Sequence, residues 1–73
     1  MTKLEYLKKQ LNLSSAKLSL AAGINYTLLT AIERGERKAY PKVKKRLAEF
    51  FNVPEDELFN EDGSLKEIDH EIA

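Results

Sequence analysis

The 73-residue chain has no cysteine, a single histidine and only three glycines. The absence of cysteine excludes a disulfide framework and a thiolate metal site, and His70 has no second histidine with which to bind a metal. The scattered glycines form no phosphate-binding loop. No apolar run is long enough for a transmembrane helix or a secretory signal. These absences predict one small, soluble, intracellular domain without metal or cofactor, and nothing in the sequence supports an enzyme.

The net charge of zero hides a strong charge asymmetry along the chain. Residues 1–46 contain eleven of the twelve Lys and Arg residues but only three Asp and Glu residues. Residues 47–73 contain one lysine and nine Asp and Glu residues. This asymmetry is typical of a polyanion-binding face followed by an acidic tail, and it is equally compatible with two solvated surfaces.

Helix start and stop signals predict five short helices and no strand. Thr2, Ser14 and Asn25 are suitable N-cap residues, and Gly23 stands where a left-handed residue would end a helix. The predicted ranges are 2–11, 15–22, 25–34, 41–52 and 54–59. The pattern therefore predicts an all-α domain.

The last ten residues fit either a short C-terminal helix or a disordered tail. Ser64 and Glu67 have capping-box spacing. An apolar stripe at helical spacing follows, formed by Leu65, Ile68 and Ile72. An isolated helix this short is marginal in water. We therefore divide the chain into a helical domain, residues 1–60, which is expected to fold alone, and an acidic tail, residues 61–73.

The third predicted helix has an unusual exposed face. On a helical wheel Leu28, Leu29 and Ile32 form an apolar arc that would pack on a core. The opposite arc has no carboxylate and consists of Tyr26, Thr27, Thr30, Ala31 and Arg34. A helix that enters the DNA major groove must be held from behind and present short side chains, because the groove is about 12 Å wide. An ordinary surface helix, the alternative, would usually have Glu and Lys on this face.

Residues 13–38, LSSAKLSLAAGINYTLLTAIERGERK, resemble the helix-turn-helix of the phage-repressor class, the Cro/C1-type or XRE-like family. The matching positions are Leu18, Ala22, the turn Gly23-Ile24-Asn25, Leu29, Ile32-Glu33 and Gly35. The resemblance extends over residues 3–59 and implies a compact, lambda-repressor-like domain of five helices with the helix-turn-helix at about 15–34. It also implies a homodimer that binds double-stranded operator DNA in the cytoplasm of a bacterium or phage host.

The resemblance implies a role for several residues. Base-reading positions are matched by Tyr26, Thr27 and Ala31, with Thr30 beside them. A pair that ties the first helix to the recognition helix in relatives is matched by Lys8 and Glu33. The amides of Ser14 and Ser15 at a helix N-terminus are expected to contact phosphate. Further phosphate contacts are expected from a basic edge formed by Arg34, Arg37, Lys38 and Lys42. Ser15 stands where the family usually has Gln, so its contact differs from that of relatives.

Two functions are left open. The first is a small transcriptional repressor that binds a bipartite operator as a dimer. The second is an antitoxin-like protein that binds a partner protein through the acidic tail and represses its own operon. The candidate dimer surfaces are the tail stripe and the region of Phe51, Val53, Leu58 and Phe59. Packing is the expected use of Tyr40, rather than base stacking.

Overall fold

Five α-helices are joined by short turns within residues 1–68, the part of the chain that the computed structural model describes. Their bounds are α1 Lys3–Gln10, α2 Ser15–Ala22, α3 Tyr26–Glu33, α4 Pro41–Phe51 and α5 Glu55–Leu58. Over the described range the only β-type pairing is two isolated bridges, so the predicted all-α fold of five helices is confirmed. None of these helices is long and apolar enough to cross a membrane.

Local hydrogen bonds explain where the helices begin and end. The side chains of Thr2, Ser14 and Asn25 each accept a hydrogen bond from the amide three residues later, at 3.1 Å. These are the predicted N-caps, and they satisfy amides that lack a partner in the first helical turn. Gly23 ends α2 with φ 70° and ψ 38°, a left-handed conformation that glycine adopts without a steric penalty. Both boundaries of the α2–α3 turn are therefore set by the local sequence.

A single core lies between the helices and holds α3 from one side. Its largest fully buried side chains come from all five helices and are Leu4, Leu18, Leu29, Ile32, Leu47 and Leu58. Burying an aliphatic side chain of this kind contributes about 1.5–3 kcal/mol relative to leaving it exposed. Helix α2 packs on α3 and α4, while α5 packs on α1 and α4. The opposite side of α3 is left open to solvent.

Residues 59–68, which we call the C-terminal strap, turn at Gly63 and fold back over the domain. The amide of Lys66 donates to Leu58 O at 2.8 Å, and its carbonyl accepts from Lys3 N at 2.9 Å. Isolated antiparallel bridges pair Thr2 with Glu67 and Phe59 with Leu65. The side chain of Leu65 packs against the core. The strap therefore links the start of α1 to the end of α5.

Residues 64–68 are not helical, so the short helix predicted for the tail does not form in this range. Gly63 reverses the chain with φ 90°, and the following backbone groups find partners far away in the sequence. A short isolated helix has no comparable contacts to offset its ordering. Ile72, the last member of the predicted apolar stripe, lies outside the described residues.

Candidate nucleic-acid interface

The turn between α2 and α3 is fixed from both sides. Ile24 is buried, and its amide donates to Ser19 O at 2.9 Å. Arg46 of α4 donates from Nη1 to Gly23 O at 2.7 Å, a contact that the sequence analysis missed. Carbonyl groups at a helix end have no partner within the helix, and the guanidinium supplies one. These contacts hold α3 in a fixed position relative to α2 and α4.

Helix α3 has one face in the core and one face exposed. Leu29 and Ile32 are fully buried, whereas Tyr26 is 53% exposed. Thr27 is exposed and Thr30 is half-buried. The Thr30 hydroxyl donates to Thr27 O at 3.1 Å, so its lone pairs and its methyl group are what it offers to a ligand. The predicted face without carboxylates is therefore present, and its threonines are short enough to approach base edges.

Ala31 is an exception among the predicted base-reading residues. It is 7% exposed, so the free chain does not present its methyl group on the open face of α3. The reason is the path of the chain after the helix: the amides of Glu36 and Arg37 both donate to Ala31 O, at 2.9 and 3.3 Å. The structure brings Tyr26, Thr27 and Thr30 to the surface but not this residue.

Lys8, Ser15 and Glu33 form a network that ties α1, α2 and α3 together. Lys8 Nζ lies 2.5 Å from Glu33 Oε2 and 2.5 Å from Ser15 Oγ, and the serine hydroxyl donates to Glu33 Oε1 at 2.7 Å. The lysine and glutamate side chains are 15% and 18% exposed, so water screens the pair only in part. The predicted Lys8–Glu33 pair is formed, and Ser15 is its third member.

Ser14 and Ser15 differ in what they can offer a phosphate. The Ser14 hydroxyl caps α2, and the Ser15 hydroxyl is used within the network with Glu33. Ser15 therefore has only its backbone amide to offer a phosphate, whereas the Ser14 hydroxyl, an acceptor in the cap, can also donate its O–H. Both residues lie at the N-terminus of α2, the position where helices bind anions.

The basic edge lies beside α3 and consists of Arg34, Arg37, Lys38 and Lys42, all of them exposed. Two of these cations are paired with carboxylates. Arg34 Nη2 lies 3.3 Å from Glu36 Oε1, and Lys38 Nζ lies 3.3 Å from Asp62 Oδ2. Among residues 1–68, Arg37 and Lys42 have no ion pair. The basic edge is thus partly neutralised by the chain itself.

Tyr40 is 50% exposed, so it does not belong to the core, and packing in an interface stays a prediction. It precedes α4 and lines an open cleft of about 190 Å³ together with Asn25, Lys42 and Arg46. The cleft lies at the N-terminal end of α3. The cleft is therefore surrounded by the side chains of Tyr40, Lys42 and Arg46 and by the N-terminal end of α3.

The sequence of the chain also matches the model of a known protein family. A family model described as "Helix-turn-helix domain" matches residues 2–64 of the chain. The chain belongs to this family. It is a helix-turn-helix domain of the XRE/Cro-C1 type, which confirms the predicted resemblance and extends it from residues 3–59 to residue 64. No curated protein and no solved structure matches the chain.

Membership in the helix-turn-helix family indicates a DNA-binding regulator. In such domains the second helix of the motif lies in the major groove with its N-terminal residues at base edges. Here that helix is α3, and the N-terminal residues Tyr26 and Thr27 are its exposed ones.

Proposed function

We propose that the protein is a sequence-specific transcriptional regulator, a small repressor that binds a bipartite operator as a dimer in the cytoplasm of a bacterial or phage host. The observation that carries the proposal is the recognition helix itself. Its apolar face is buried in the core, its exposed face has no carboxylate, and the partly buried Lys8–Glu33 ion pair and Arg46 fix its orientation. The family match to residues 2–64 supports the same function.

The proposed base contacts come from Tyr26, Thr27 and Thr30. Threonine methyl groups suit contact with thymine, and the tyrosine hydroxyl suits a base or a phosphate. No exposed residue of α3 offers the bidentate pairing that Arg makes with guanine or Gln with adenine. Recognition is therefore distributed over several modest contacts.

The proposed phosphate contacts come from the N-terminus of α2 and from the basic edge, Arg34, Arg37, Lys38 and Lys42. Such contacts set the register of the protein on the duplex without specifying its sequence. Lys42 lies in the cleft near the N-terminus of α3, so a phosphate held there would position that helix in the groove.

The dimensions of the domain suit a dimer on one face of DNA. The longest axis of the domain is 32 Å. Half-sites read by a helix-turn-helix dimer are about 34–36 Å apart. The domain is therefore of a size that would allow two copies to bind neighbouring half-sites on one face of the duplex.

The proposed dimer surface is smaller than the one predicted from sequence. Leu58 and Phe59 are 0% and 3% exposed and belong to the core. Phe51 and Val53 are half-buried, and Phe50 is 37% exposed with its ring 4.9 Å from that of Phe51 in an edge-to-face arrangement. We assign the dimer contact to this aromatic edge, which lies at the C-terminal end of α4 and includes Val53 just beyond it.

The antitoxin-like alternative depended on an acidic tail that is free to bind a partner. Residues 61–68 instead contact the domain through the strap, so no observation favours this alternative over the regulator.

Titration of the protein against a duplex of random sequence, over a series of salt concentrations, tests the proposal. For a DNA-binding regulator, the logarithm of the affinity falls linearly with the logarithm of the salt concentration. Each phosphate contacted adds about 0.9 to the slope. Absence of binding at the lowest salt would contradict the proposed function.

A further inference from the structure

The first part of the strap packs against the loop that leads from α3 to α4. The amide of Ala39 donates to Gly63 O at 2.9 Å. Gly63 is buried with φ 90°, and a Cβ atom at this position would collide with the backbone carbonyl of Ala39. The strap therefore holds its neighbour Asp62 beside the basic edge, at one fixed place.

Asp62 uses its two carboxylate oxygens for two different contacts. Oδ1 accepts from Ser64 N at 3.0 Å and from Ser64 Oγ at 2.6 Å, which shapes the turn. Oδ2 lies 3.3 Å from Lys38 Nζ. These hydrogen bonds to Ser64, with the nearby lysine, lower the pKa of Asp62 to about 2. The carboxylate is therefore fully charged at neutral pH.

We propose that Asp62 is an electrostatic latch on the DNA-binding surface, which occupies Lys38 in the free protein and must release it to a DNA phosphate. The proposal rests on the proposed function. Lys38 and Asp62 are 65% and 55% exposed, and exposed pairs of this kind are weak, so a phosphate can displace the carboxylate. Since phosphate contacts are sequence-independent, the latch lowers affinity for all duplexes and most affects nonspecific binding.

The variant Asp62→Asn separates the charge from the shape of the turn. Its side-chain oxygen still accepts the hydrogen bonds from Ser64, while the charge opposite Lys38 is lost. We expect nonspecific affinity at low salt to rise about two- to five-fold, and the salt dependence to steepen by up to about 0.9 in log–log slope. A role confined to holding the turn predicts unchanged or weaker binding.

Glu61→Gln is the matched control, because it removes the same charge one residue away. Glu61 is exposed and has no ion pair among residues 1–68. Its variant should show a smaller gain than Asp62→Asn. The double variant Asp62→Asn/Lys38→Gln should lose the gain, since the released lysine is absent.

A comparison of Lys38→Gln with Lys42→Gln tests the latch without altering the turn. Both lysines are exposed, but among residues 1–68 Lys38 has an acidic partner and Lys42 has none. The latch predicts the smaller loss of affinity for Lys38→Gln. This pair of variants decides the question if Asp62→Asn fails to fold, as judged by circular dichroism.

Three results would overturn the latch: equal affinities for Asp62→Asn and the parent, equal gains for Asp62→Asn and Glu61→Gln, or a larger loss in Lys38→Gln than in Lys42→Gln. If the parent binds duplex DNA and one of these holds, only the latch fails. If neither the parent nor Asp62→Asn binds any duplex, the proposed function fails with it.

Discussion

Gly23 is the residue on which the angle between α2 and α3 depends. Its φ of 70° is costly for residues with a Cβ atom, and an added Cβ would lie 2.6 Å from Arg46 Nη1. We expect Gly23→Val to lower the free energy of unfolding by about 2–3 kcal/mol, measured by thermal or urea denaturation.

A comparison of Gly35→Ala with Gly23→Ala separates the cost of the left-handed backbone from the cost of displacing the Arg46 side chain. Gly35 has a similar φ of 79°, but a Cβ there meets no atom within 4 Å. The alanine at position 23 should therefore be the more destabilising, since it also displaces the guanidinium. A melting temperature for Gly23→Val equal to that of the parent would show that this residue is not left-handed in solution.

Glu33 is the residue that joins three helices through one carboxylate. Glu33→Gln leaves the partly buried Lys8 ammonium without its counter-charge. We expect a loss of about 1–2 kcal/mol in the free energy of unfolding. Glu5→Gln is the control, because its pair with Lys9 is 4.0 Å long and exposed, and should cost close to nothing. Equal stabilities of the two variants would argue that the network is not formed.

Asp62 gives a pH dependence whose sign follows from its pKa. The pKa is lowered from 3.8 to about 2 on folding, so the native state binds fewer protons than the unfolded state. The resulting stabilisation is complete above the unfolded value and is lost as the pH falls through the native value. Asp62→Asn should therefore melt below the parent at neutral pH, with the difference disappearing near pH 2. A difference independent of pH would contradict this assignment.

Among the elements, α3 owes its orientation to the core and its binding role to a short exposed stretch. Arg34 lies just after its C-terminal end. Arg34→Ala should weaken binding to all sequences similarly and flatten the log–log salt dependence by about 0.9, because a phosphate contact positions without specifying. Lys45→Ala serves as the control, since Lys45 lies in a cleft beside Glu49 and Glu55. Unchanged affinity and slope in Arg34→Ala would remove Arg34 from the interface.

The strap is an element that the sequence did not predict. The sequence predicts that residues 1–60 fold alone, but truncation after Asn60 removes the partners of Ala39 N and Lys3 N and the packing of Leu65. We expect this truncation to lower the melting temperature by several degrees, at about 4–8 °C per kcal/mol for a domain of this size. Truncation after Ile68 keeps every contact of the strap described above and should melt like the full chain. Equal melting of both truncations would show that the strap adds no stability.

Features that depend on neighbouring residues could be predicted from the sequence, whereas features that depend on long-range contacts could not. The N-caps and the glycine at the α2–α3 turn depend on neighbouring residues, so the helix bounds and the exposed face of α3 could be predicted. The burial of Ala31 depends on the path of the following loop, and the hydrogen bond of Arg46 joins residues 23 positions apart. The bridge between Thr2 and Glu67 joins residues more than 60 positions apart, which no helical pattern within residues 64–73 could reveal.

At the scale of the whole molecule, basic residues from the first part of the chain and acidic residues from the last part meet on the folded surface and partly neutralise each other. The basic edge beside α3 meets the acidic strap at Lys38 and Asp62. The acidic residues at the start of α5 come directly after the aromatic edge in the sequence. The dimer proposed above would bring a second basic edge to the DNA.

The dimer is tested by comparing affinity for a half-site with affinity for the full operator. A dimer on DNA predicts cooperative binding to the full site, with Phe50→Ala reducing the cooperativity and leaving half-site affinity unchanged. Loss of affinity for the half-site in this variant would place Phe50 in the fold rather than in the dimer contact.

Selection of binding sites from random duplex DNA, followed by footprinting, is the most direct test of the claim that the exposed face of α3 reads DNA sequence. We predict that the selected sequences contain an inverted repeat whose half-sites are centred about 34–36 Å apart. We also expect Thr27→Ala to weaken the base preference at one position of each half-site, while Lys45→Ala leaves the motif unchanged. Enrichment of no motif, or the same motif from Thr27→Ala as from the parent, would contradict the claim.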